Sequence, residues 1–214
     1  MSVNEESNLL NTQATQNSLK LSKAYYFIQI NLAILLASIQ YLIWKDGYNT
    51  FNLHPALMIL CFYFTSQAIL VLKVESSLKS KRLHQVFQTL AGLSFITSFI
   101  VIYTQKSSWG EAHFQSPHAI LGLTILILFL SAGLVATLYH YKLISNFSVP
   151  LTKIFRIHRT AGYAILGLFT INIFFGLELG FSLHNLALAW VIYPSLFTNL
   201  VAYYSTVDRK KLIV

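Results

Sequence analysis

The chain has 214 residues, 55% of them hydrophobic and only 10% charged, with a mean hydropathy of +0.59. Ordinary soluble domains carry about 25% charged residues, so this composition argues first against a soluble globular enzyme. The formal net charge of +8 sits in short polar stretches between apolar ones, a pattern that marks membrane topology rather than nucleic-acid binding.

Residues 1–23 are polar, with Glu5, Glu6 and many Asn, Gln, Ser and Thr. They lack the basic start and early apolar core of a signal peptide and read as a disordered cytoplasmic tail. Six nearly charge-free stretches of 19 to 21 residues follow, roughly 24–44, 54–72, 84–103, 118–138, 158–177 and 185–204. A bilayer core takes about 20 helical residues, and backbone groups in lipid must bond within the segment. The spacing therefore predicts an all-α polytopic membrane protein over residues 24–204, with six transmembrane helices in an up-and-down bundle. Residues 205–214 form a basic cytoplasmic tail containing Arg209, Lys210 and Lys211. Both termini then share one face. Of the 15 Lys and Arg residues, only Lys45 and Lys106 fall on the other face, so the terminal face is expected to be cytoplasmic. Cys61 is the one cysteine, lies inside the second stretch and forms no intramolecular disulfide.

The second to fifth stretches each begin with a histidine: His54, His84, His118 and His158, spaced by 30, 34 and 40 residues. Each spacing equals one span plus one loop. Alternate spans run in opposite directions, so His54 and His118 fall near one face, and His84 and His158 near the other. Imidazoles at membrane depth are costly and usually functional, and pairs of them suit axial ligation of haem iron between helices. Zinc fits less well, since each face offers only two histidines. A proton relay would want carboxylates in the spans, and none are present. The reading is a four-helix core holding two haems stacked across the membrane, the first and sixth helices flanking it. Two alternatives stay open: a dihaem anchor that passes electrons between a partner dehydrogenase and quinone, and a haem-free multi-pass scaffold or transporter.

Glycine stands one turn after two of the histidines, at Gly122 and Gly162, where a flat macrocycle would press. Phe87, Phe95, Phe99, Phe129, Phe169, Phe174 and Phe175 supply apolar filling, and Pro194 is expected to kink the sixth helix. His140 and His184 read as interfacial residues.

Four segments carry a resemblance: FNLHPALMIL around His54, KSKRLHQVFQTLAGL around His84, HFQSPHAILGL around His118 and KIFRIHRTAGYAILGL around His158. Together they make residues 24–204 resemble the cytochrome b561 family of transmembrane ascorbate-dependent oxidoreductases. The run VESSL at 74–78 is similar to the short, domain-containing-protein-2 type of that family. The resemblance implies two b haems, one ligated by His54 and His118 and the other, on the cytoplasmic side, by His84 and His158. It implies an oxidoreductase and translocase that takes electrons from cytosolic ascorbate. The electrons would pass to monodehydroascorbate or ferric iron beyond the membrane. It further suggests an endoplasmic reticulum or vesicle membrane, and a homodimer is compatible with it.

Lys81, Arg82 and Arg156 stand close in sequence to the cytoplasmic histidines and are candidate contacts for ascorbate or haem propionates, both anions. On the acceptor side His113, with Glu111 and Glu178, is a candidate contact for the oxidant, since hard cations favour carboxylate oxygen. Phe114-Gln115-Ser116-Pro117-His118 departs from the serine-leucine-histidine-serine-tryptophan motif of the best-known members, which bears on the identity of the acceptor.

Overall fold

The computed structural model describes residues 25–74, 77–141, 143, 150–181 and 188–205. Both tails, Glu75 and Ser76 of the run VESSL, His184 and the connection before the last helix lie outside the described residues. Six α-helices follow one another: α1 (Tyr25–Trp44), α2 (Leu53–Val74), α3 (Leu78–Trp109), α4 (Pro117–His140), α5 (Leu151–Phe181) and α6 (Ala189–Ser205). The first five are long and apolar enough to cross a membrane, and Ile, Leu, Val and Phe side chains cover much of their outward faces. The molecule is a polytopic membrane protein. The described part of α6 has 17 residues and carries Pro194 internally. The Thr198 hydroxyl donates to the Pro194 carbonyl one turn below.

Local signals explain the boundaries. Ser77 and Ser116 accept from the backbone N–H groups of Ser80 and Ala119, capping α3 and α4, and Pro117 takes the first turn of α4, where its missing donor costs nothing. Gly110 ends α3 at φ 70°, a left-handed position that glycine adopts without strain. Asn52 donates to the Ile43 and Gly47 carbonyls and so ties the α1–α2 turn.

α2 packs along α3, and α4 along α5, while contact between these two hairpins is sparse. α1 lies on α2, joined by a reciprocal amide pair between Gln29 and Gln67, 2.8 Å in each direction. Trp44 Nε1 donates to Gln40, which in turn donates to the Ala56 carbonyl.

The inner helices α3 and α5 run beyond their expected spans at both ends of the bundle. α2 and α4 start next to His54 and His118, as the sequence suggests, but α3 and α5 start six and seven residues before His84 and His158. The stretches Leu78–Leu83 and Leu151–Ile157, expected as loop, are helical. Their Leu, Lys and Arg residues have high helix propensity, which hydropathy does not report. With residues 104–109 and 178–181 helical as well, α3 and α5 reach 32 and 31 residues, and the connections shrink accordingly.

Candidate functional site

The structure brings the four predicted histidines together as two pairs. The ring centroids of His54 and His118 lie 6.2 Å apart at an interplanar angle of 84°. Those of His84 and His158 lie 6.2 Å apart at 80°. Each pair takes one ring from the α2–α3 hairpin and one from the α4–α5 hairpin. A metal–nitrogen bond is about 2.0 Å and a ring centre lies roughly 1.1 Å from its nitrogen, so two imidazoles on opposite sides of one metal sit about 6.2 Å apart. The observed separation therefore suits a single iron between the rings. The thin contact between the hairpins leaves width for a macrocycle. Among the described residues no three His, Cys, Asp or Glu side chains converge, so the donor sets are pairs, as an iron porphyrin requires.

Each ring is held from behind by the other helix of its own hairpin. His54 Nδ1 lies 3.2 Å from the Ser98 carbonyl, and His84 Nδ1 lies 2.8 Å from the Ala68 carbonyl. In the second hairpin His118 Nδ1 lies 3.0 Å from the Asn172 carbonyl. His158 interacts with the Ala132 backbone in geometry looser than a hydrogen bond, and its buried Nδ1 has no closer partner. An Nδ1–H donated to a carbonyl fixes the tautomer in which Nε2 carries the free lone pair, the one a metal takes.

The four carbonyl residues obey one rule. Ala68, Ser98, Ala132 and Asn172 each follow the histidine of their own helix by fourteen residues. In an antiparallel hairpin this makes the bracing reciprocal. Fourteen residues at 1.5 Å rise span about 21 Å, which is the separation of the two ligand layers along the helices. Between the layers lies an aromatic floor. Phe169 sits 5.7 Å from Phe62 and 5.5 Å from Phe95, and Phe95 sits 6.0 Å from Phe129, so each inner helix contributes one ring. Phe95, Phe129 and Phe169 each follow their histidine by eleven residues, about three turns and hence the same helix face. Phe62, Phe95 and Phe169 are buried, and this layer excludes water between the two pairs.

The glycines separate on inspection. Nothing lies within 4 Å of a Cβ built at Gly162, which leaves open space as expected beside a cofactor. At Gly122 the neighbour is Asn172 Nδ2, at 3.2 Å, so this glycine makes room for a side chain of α5. Gly176, which the sequence did not single out, is the most constrained: a Cβ there would meet His118 Cε1 at 2.8 Å.

Around the His54/His118 pair the surface is aromatic. Phe51 lies 6.4 Å from the His54 ring and 6.0 Å from Trp109. His113 stacks on Tyr103 at 4.1 Å and 10°, with its Nε2 3.1 Å from Ser107 Oγ. It is thus packed on the last turns of α3. Glu111 pairs with Lys106 at 3.5 Å. His140 ends α4 with its ring edge-on to Tyr141, as an interfacial residue would.

The His84/His158 end is cationic. Lys81 and Arg82 are exposed on the first turns of α3, and Arg156 is half-buried on α5. The Arg156 Nε is buried without a hydrogen-bond partner, a donor disposed to take an anion. Lys73, at the end of α2, lies over the Tyr163 ring at 5.3 Å, bringing a further cation to this end that the sequence pattern did not distinguish.

A family model described as eukaryotic cytochrome b561 matches residues 53–182, a stretch that holds all four histidines and the whole of α2 to α5. No curated protein sequence matches the chain.

Proposed function

The chain belongs to the eukaryotic cytochrome b561 family, and from that premise we propose that it is a transmembrane dihaem electron carrier that draws on ascorbate at the His84/His158 end and reduces monodehydroascorbate or ferric iron at the His54/His118 end. Membership implies transmembrane ascorbate-dependent electron transfer, and members typically bind two b haems. The observation that carries the reading is the pair of 6.2 Å imidazole clamps at opposite ends of one bundle.

When bound, one b haem in each clamp would supply one-electron carriage across a distance the chain alone does not conduct. The residues do the rest. His54 with His118, and His84 with His158, present their Nε2 lone pairs to iron, while the hairpin carbonyls behind them keep the rings from turning. The Phe62, Phe95, Phe129 and Phe169 layer keeps the space between the clamps dry, which favours electron passage over proton leakage. Lys81, Arg82 and Arg156 draw ascorbate, an anion, toward the His84/His158 end and neutralise propionates there. His113 is assigned to the acceptor side, as a surface contact anchored on Tyr103. The face with the cations is the cytoplasmic one by the excess of Lys and Arg, with both termini on that side. α6 completes a sixth span, and an endoplasmic reticulum or vesicle membrane fits the family. Within the family the run VESSL supports the short domain-containing-protein-2 type.

The dihaem-anchor alternative needs a quinone pocket. A cavity of about 380 Å³ between α1, α2 and α3, lined by Tyr25, Gln67, Lys79, Ser80 and Phe87, is where one would lie. Sealed vesicles containing the purified chain separate the readings. With ascorbate inside, ferricyanide or ferric citrate outside is expected to be reduced without any other protein. Reduction only when a dehydrogenase and quinone are added would favour the anchor.

A further inference from the structure

At the position fourteen residues after each histidine, α2 and α4 carry alanine, Ala68 and Ala132, whereas α3 and α5 carry Ser98 and Asn172. Both polar residues serve the same clamp. Ser98 is 0% exposed and Asn172 3% exposed. Ser98 Oγ lies 2.8 Å from His54 Nδ1 and donates to the His54 carbonyl at 3.0 Å, so its lone pair is turned to the Nδ1–H. Asn172 meets the His118 ring through its backbone carbonyl; its side-chain Nδ2 faces Gly122, and its buried Oδ1 has no hydrogen-bond partner. The other clamp has backbone acceptors alone. The carbonyl scaffold is therefore common to both ends, and a side-chain acceptor on a ligand ring, Ser98 Oγ on His54, is added at one.

An imidazole whose Nδ1–H meets stronger acceptors gains imidazolate character and binds ferric iron more firmly, which lowers the reduction potential of that iron. We infer that Ser98 is a positioning residue which, acting through His54, holds the potential of the haem at that end below the value its backbone hydrogen bonds alone would set. The inference rests on the haem reading of the two clamps. It gives the two ends a built-in difference in potential that does not depend on the substrates present.

The test is potentiometric titration of the full chain in detergent, with the ferric low-spin electron paramagnetic resonance signal recorded beside it, for wild type, Ser98→Ala, Ser98→Thr and Ser98→Cys. The component belonging to the His54/His118 end is assigned by its absence in His118→Ala. In Ser98→Ala that component is expected to move to higher potential with a changed g-value, while the other stays in place. Ser98→Thr, which keeps the hydroxyl, is expected to titrate like wild type. Should Ser98→Ala fail to retain the haem, Ser98→Cys, which fills the same place with a weaker acceptor and is expected to shift that component in the same direction, decides the matter. Two haems retained with no shift, or an equal shift of both components, overturns the inference and leaves the dihaem reading intact. Wild type holding no haem or one overturns the dihaem reading itself.

Discussion

At the His54/His118 end the two rings stand 6.2 Å apart at 84°, and at the His84/His158 end 6.2 Å apart at 80°. The surroundings share almost nothing. One clamp is backed by Ser98 and Asn172 and roofed by Phe51, Trp109, Phe99 and Phe114. The other is backed by the alanine positions and lies among Lys73, Lys81, Arg82 and Arg156. The difference teaches where each property resides. The hairpins, with their fourteen-residue register, fix the spacing within a clamp and between clamps. The helix ends, which the register leaves free, set which molecule can approach and which side chains tune the metal. At the cationic end α3 and α5 extend beyond the apolar core and carry the charges out on helix.

The sharpest way to break this comparison is to remove one clamp. His84→Ala or His158→Ala is expected to halve the haem content and to abolish rapid reduction of the remaining haem by ascorbate. His54→Ala or His118→Ala is expected to halve it equally yet leave that reduction in place, with delivery across the vesicle lost. Haem quantitation with stopped-flow absorbance reads both, and identical kinetics for the four variants would contradict the division of labour.

Next in size is the seat of His118. Gly176→Val forces a side chain toward a ring that a Cβ alone would meet at 2.8 Å. Overpacking of this kind costs about 1–3 kcal/mol, and the cost should fall on one end: partial loss of the His54/His118 haem, measured by haem content and redox titration, with the other retained. Gly162→Ala, in open space, serves as the contrast and is expected to leave packing unstrained. The floor between the clamps is tested by Phe169→Ala. Truncating a buried phenylalanine costs about 3–5 kcal/mol, so thermal unfolding should shift downward and both ends should suffer together.

The smallest expected effect lies at the cationic surface. Arg156→Gln is expected to raise the KM for ascorbate a few-fold with little change in kcat. The wild-type rate should fall as salt screens the cluster, and the variant should fall less. An unchanged KM would leave Arg156 a topology residue alone.

These outcomes also mark what could be read before the fold was known. The spans and the four histidines were legible because hydropathy over about 20 residues and a rare polar residue at membrane depth are strong signals. The pairing followed from alternation of direction, which needs no side-chain detail. The helical beginnings of α3 and α5 were hidden, since Lys- and Arg-rich turns look like loop to hydropathy while favouring helix. The bracing of the rings was hidden for another reason: carbonyl acceptors belong to the backbone, and any residue type can supply one. Its trace, a small or polar residue fourteen after each histidine, is present but weak in each helix taken singly. Gly176 lies far along the chain from His118, and only the packing of α4 on α5 connects them. Gly122, expected against a cofactor, proved to face Asn172, because one turn past His118 the same face of α4 already meets α5.

The central claim is that each 6.2 Å clamp holds one iron porphyrin. Pyridine haemochrome quantitation on the purified full-length chain, beside its His118→Ala and His158→Ala variants, tests it most directly. The account predicts two b haems per chain, one in each variant and none in the double variant. Wild type with one haem or none, or single variants that keep both, would contradict it.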